Sequence, residues 1–121
     1  MEPLRLIGYW RSDQDPQWPD PAEWIDASWD PRERNIVGQY LREGAIPWAG
    51  AGFSPCRICG KPNGSFERTD FVLLWPEGLA HYVLDHNVRL PQEVVALIMQ
   101  RLDALESVSV DRTWWRSVTG L

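Results

Sequence analysis

The chain has 121 residues, 44% hydrophobic and 24% charged, which suits one folding domain able to bury a core without a disulfide framework. No run approaches the ~18 apolar residues of a membrane span, and Met1 to Trp10 lacks the pattern of a signal peptide, so a cytoplasmic address without membrane contact is expected. A formal net charge of -5 argues against nucleic acid as a partner, because gripping phosphates needs a basic stripe.

Residues 1–30 carry seven acidic and two basic side chains, and so hold the whole net charge. The same segment contains Trp10, Trp18, Trp24 and Trp29 among several prolines, which deny it long helices or central strands. An irregular arm follows. Its tryptophans either pack on the domain or, ringed by Asp13, Asp15 and Asp20, anchor a basic protein partner. Asp13, Asp15, Trp18, Asp20 and Trp24 are the candidate contact residues. A calcium loop at Asp13 and Asp15 is excluded by Pro16 and by the lack of the required Gly and Glu.

Asp30, Pro31 and Glu33 give an N-cap, a proline at the first helical position and a capping-box acid, predicting a helix over about 31–43 that Gly44 stops. Residues 45–55, rich in Gly and Pro, read as a loop or a short irregular strand. Ser65 to Trp75 reads as a hairpin, with Thr69 and Asp70 at its turn and Pro76 closing the second strand. Glu77 to Asp85 is predicted as a short helix and Pro91 to Glu106 as a longer one. In the latter, Val94, Ile98, Leu102 and Leu105 form an apolar stripe expected to pack on Phe71, Leu73, Ile36, Tyr40 and Leu41. Ser107 to Val118 alternates well enough to be a closing strand. The fold class is α+β: a single domain spanning 1–121, with a small antiparallel sheet, a zinc knuckle or treble-clef-like element and two to three helices.

Cys56 and Cys59 stand two residues apart in CRICGK, and Gly60 lets the chain turn so that backbone amides point at the thiolates. His81 and His86, five residues apart, are the chain's two histidines. A Cys pair and a His pair at these spacings match a Cys2His2 zinc site. Four protein ligands close such a site and make the Zn2+ structural, with no catalytic residue. With only three ligands on the metal, Glu77 or Asp85 becomes a candidate general base. A redox Cys pair lacks the surrounding strand and helix, and an HNH-type nuclease lacks its later His.

The stretches WPEGLAHYVLDHNVRLP (Trp75 to Pro91), CRICGKPNGS (Cys56 to Ser65) and GYWRSD near the start together resemble a set of small uncharacterised bacterial proteins with a CxxCG knuckle. The resemblance implies a bacterial domain with a Cys2His2 metal site and brings no reaction or substrate. The reading is thus a non-catalytic protein-binding module with structural zinc, of which toxin-neutralising immunity proteins are one kind. Its rivals are a zinc-dependent hydrolase or nuclease, and a regulatory protein sensing a small ligand in an aromatic pocket lined by residues such as Trp48 and Trp75.

Overall fold

Asp30 caps the first helix as its sequence demands: its carboxylate accepts the Arg32 amide at 3.1 Å, and α1 runs Pro31–Arg42. The other half of the expected capping box is spent differently, since the Glu33 carboxylate accepts the indole N–H of Trp29 at 3.1 Å. That bond fixes Trp29, 2% exposed, in the core, so the arm's end is tied to the helix it precedes. The computed structural model describes residues 1–48, 50 and 52–121, and these divide into two compact units, Met1–Pro91 and Gln92–Leu121.

In the first unit a three-stranded mixed sheet has the order β1 (Arg5–Leu6), β3 (Leu73–Pro76), β2 (Glu67–Thr69). The expected antiparallel pair is β2 with β3, in the register Glu67↔Pro76, Arg68↔Trp75 and Thr69↔Leu74. The third strand departs from the antiparallel expectation: β1 joins β3 in parallel, Arg5 opposite Leu73 and Leu6 opposite Leu74. Two residues, both exposed, are too few to show an alternation in sequence. Leu73 and Trp75 point inward from the central strand, and the Trp75 indole donates to the Leu41 carbonyl of α1 at 3.0 Å. Helix α2 (Leu79–His86) packs on α1. Val37, Leu41, Leu73, Trp75, Leu79, Val83 and Val88 are all fully buried, and burial at this density is the main stabilising term of the unit.

The arm is part of this core as well as of the surface. Trp10 and Trp29 are buried, and Pro21–Trp24 form a 3-10 turn capped by Asp20, whose carboxylate accepts the Ala22 amide at 3.0 Å. Asp26 pairs with Arg89 at 2.9 Å, and Ile25 bridges Val88. Of the segment 45–55, Ala45 bridges Thr69, while residues 49 and 51 lie outside the described residues.

Three core expectations are corrected. Phe71 is 67% exposed because it occupies the tight turn between β2 and β3 with φ 72°. There the Thr69 hydroxyl accepts its amide, and the Asp70 carboxylate accepts those of Val72 and Leu73. Ile36 lies on the outer face of α1. In the second unit, α3 (Gln92–Glu106) buries Val95 and Ile98, leaves Val94 and Leu102 half-buried, and exposes Leu105. The expected closing strand is absent among the described residues: Val108 and Val110 are exposed, and Trp114–Val118 form a short helix, α4. Asp111 starts it by accepting the amides of Thr113 and Trp114, a turn signal the valine alternation masked.

Candidate metal centre and adjoining cleft

The knuckle is a ribbon from Ser54 to Gly64. Ser54 and Gly64 pair at its base, Pro55 bridges Pro62, the Cys56 amide donates to the Lys61 carbonyl at 2.9 Å, and the Gly60 amide returns to the Cys56 carbonyl at 2.9 Å. Gly60 takes φ +74°, a left-handed turn position that a side chain resists. The turn aims amides at sulfur as its sequence predicts: Ile58 N–H donates to Cys56 Sγ at 3.4 Å, and the Lys61 amide bonds Cys59 Sγ. Cys56 is buried and Cys59 exposed, both as free thiols.

Helix α2 supplies the second pair. It ends at Asn87, whose φ of 53° is the left-handed cap, and the Asn87 side chain accepts Arg34 of α1 at 2.6 Å, which steadies the turn just after His86. Asp85 Oδ2 lies 2.7 Å from His81 Nδ1. A carboxylate only accepts, so Nδ1 carries the proton and the Nε2 lone pair is free. That lone pair faces Cys59 Sγ at 3.4 Å and His86 Nε2 at 3.2 Å.

The donor atoms of Cys56, Cys59, His81 and His86 all lie within 4.8 Å of one another. Tetrahedral ligands at ordinary zinc distances stand about 3.3 Å apart for two nitrogens and about 3.6 Å for nitrogen and sulfur. Two of the edges, 3.2 Å between the imidazole nitrogens and 3.4 Å between Cys59 Sγ and His81 Nε2, come near those lengths. The Lys61 amide and then the two imidazoles lower the Cys59 thiol from 9.0 to about 6, toward the thiolate a metal binds. All four residues singled out from sequence are therefore brought to one point, compatible with a metal site.

The two carboxylates considered as general bases are committed elsewhere. Asp85 holds the far ring nitrogen of His81, a pairing that its i, i+4 spacing from His81 makes readable in the sequence. Glu77 accepts the Ser65 and Phe66 amides at 2.7 and 3.1 Å and anchors the loop entering β2.

Beside the knuckle the first unit contains a cleft of about 370 Å³. The Arg57 amide donates to the Tyr82 hydroxyl at 2.7 Å, and both residues line it, so the wall of the cleft runs directly into the Cys56 turn. Burial pushes Tyr82 up to about 12, against the Arg57 amide bond, which acts to lower it. Tyr9, Trp18 and Asp15 of the arm also line the cleft, with Trp48 and Glu67. Glu67 accepts the Tyr9 hydroxyl at 2.8 Å and the Trp48 indole at 3.2 Å. Burial, then the Glu67 bond and charge, push Tyr9 up to about 12.

Of the arm residues expected to meet a partner, Asp15 and half-buried Trp18 line this cleft, and Asp13 is exposed nearby in sequence. Asp20 is occupied as a cap, and Trp24 ends the 3-10 turn, 38% exposed. Trp48 lines the cleft as expected, whereas Trp75 is sealed in the core and does not. Tyr9 and Glu67, separated by 58 positions, carried no local motif.

Comparison of the chain with protein-family models, with curated proteins and with solved structures returns no match. No helix among the described residues is long and apolar enough to cross a membrane.

Proposed function

We propose that the chain is a non-catalytic binding module whose first unit is held together by one structural Zn2+ on Cys56, Cys59, His81 and His86. The observation that carries this reading is the convergence of four protein donors, two of their separations close to tetrahedral edges. Two thiolates and two imidazoles suit zinc better than hard cations, and four such ligands leave no position for a reacting water. The carboxylates that a zinc hydrolase would need are engaged, Asp85 on His81 and Glu77 on backbone amides, which supports a structural role. The metal would clamp the knuckle to α2 and so fix one wall of the cleft. The acidic arm, through Asp13, Asp15 and Trp18, supplies the surface for a basic protein.

Metal analysis of the purified chain should find about one zinc per molecule, and cobalt substitution should give the spectrum of a four-coordinate sulfur and nitrogen site. Cys59→Ser should lower both metal content and melting temperature, because metal binding free energy is folding free energy here. A metal-free protein, or a coordination spectrum showing an exchangeable water, would overturn the structural assignment.

A further inference from the structure

The cleft beside the knuckle has the chemistry of a receptor for an organic cation. Its volume, about 370 Å³, lies within the ~300–1,000 Å³ of small-molecule sites. Three of its lining residues are electron-rich rings: Tyr9 and Trp18 meet edge to face with centroids 6.0 Å apart, and Trp48, like Tyr9, donates a hydrogen bond to Glu67. Ring faces of this kind attract ammonium and guanidinium groups.

Glu67 supplies the countercharge. It is half-buried on β2, each of its oxygens accepts one neutral donor, and no cation stands within ion-pair distance of it among the described residues. A partly desolvated carboxylate bounded by aromatic rings is stabilised by an incoming positive charge more than one in open water. Asp15 adds a second negative charge to the lining. The one basic lining group among the described residues, Arg57, is turned onto its own loop, where it donates to Ser54 Oγ at 3.1 Å and to the Pro55 carbonyl at 2.6 Å. It does not neutralise Glu67.

From this arrangement we propose that the cleft binds an alkylammonium or guanidinium group, with Glu67 as countercharge and Tyr9, Trp18 and Trp48 as its aromatic walls. The proposal deepens the binding-module reading and rests on it: the group is the part of the ligand that enters the cleft. A lysine or arginine side chain of a protein and a free polyamine share this chemistry.

The test titrates the zinc-loaded chain with butylammonium and butylguanidinium, with 1-butanol and butyrate as neutral and anionic controls, followed by tryptophan fluorescence and by the Trp48 indole N–H resonance. The cations should bind saturably and shift Trp48, and the controls should do neither. Glu67→Gln should weaken cation binding about tenfold or more at unchanged zinc content. Trp18→Ala, which leaves both Glu67 hydrogen bonds in place, should weaken it as well and guards against a folding artefact in the first variant. Comparing a blocked arginine peptide with spermidine then separates the sources, and tighter binding of either supports the site.

Equal binding of cations and butanol, preference for butyrate, absence of saturable binding, or full affinity in Glu67→Gln would each overturn the cation site. Those outcomes leave the binding-module reading standing, since it fails on a different result, the zinc content and coordination of the same samples.

Discussion

Phe71 shows what a single residue's backbone can override. Its place in an apolar run suggests a core strand, yet its φ of 72° puts it at a turn position that costs a non-glycine residue about 1–2 kcal/mol, with the ring in solvent. Phe71→Gly relieves that strain and gives back about 0.5–1 kcal/mol in unfolded-chain entropy, so stability should stay level or rise slightly. A denaturant titration showing a loss of about 3 kcal/mol or more, the usual cost of emptying a core phenylalanine site, would contradict this account. Tyr9 makes a second prediction. Its folded-state value of about 12 lies above the ordinary 10, so the unfolded chain ionises first. The contribution of Tyr9 to stability is therefore intact below about pH 10 and is lost as pH climbs toward 12. Phenolate absorbance of wild type minus Tyr9→Phe should rise only near the upper value while the protein stays folded. A midpoint at 10 would detach Tyr9 from burial and from Glu67.

At the scale of elements, what could be read from sequence was what is local. The cap at Asp30 and Pro31, the hairpin turn at Thr69 and Asp70, and the spacings within the Cys pair and the His pair are short-range patterns, and each appears where the residues place it. Strand β1 and helix α4 escaped because the first is made by its pairing with β3 and the second by the Asp111 turn, not by an apolar period. Helix α2 depends on a contact that composition hides. Its cap Gly78 is buried against the knuckle, where a Cβ would come within 2.3 Å of the Asn63 carbonyl oxygen, and the Asn63 side chain donates to the Gly78 carbonyl at 3.1 Å. A backbone atom cannot rotate out of the way. Gly78→Ala should therefore cost about 1–3 kcal/mol and also weaken zinc binding, since it pushes the helix bearing both histidines away from the ribbon bearing both cysteines. Chelator competition and thermal melts on the same variant would check the coupling, and a destabilised protein with wild-type zinc affinity would refute it.

Across the whole chain the charge is the least local feature, and it constrains the last prediction. All of the net -5 falls within residues 1–30, but the structure divides those acids by role. Asp20 caps the 3-10 turn, Asp30 caps α1, Glu33 just beyond holds Trp29, and Asp26 is tied to Ser28 and Arg89, which lower its carboxyl below the ordinary range. Removing any of these perturbs folding as well as field. Asp13 and Asp15 are exposed, Asp15 also lines the cleft and its carboxylate accepts only the exposed Gln17 side-chain amide at 3.4 Å among the described residues, so Asp13→Asn with Asp15→Asn separates steering from structure. The double variant should melt within about 0.5 kcal/mol of wild type, as surface changes do, while its association with a basic protein slows and loses part of its salt dependence. Trp18→Ala should act on the other rate, speeding dissociation if the ring is a contact anchor. Stopped-flow association at two ionic strengths, run with both variants, distinguishes the two effects. Association rates unchanged in the double variant at low salt would show that the acidic arm does not steer the partner.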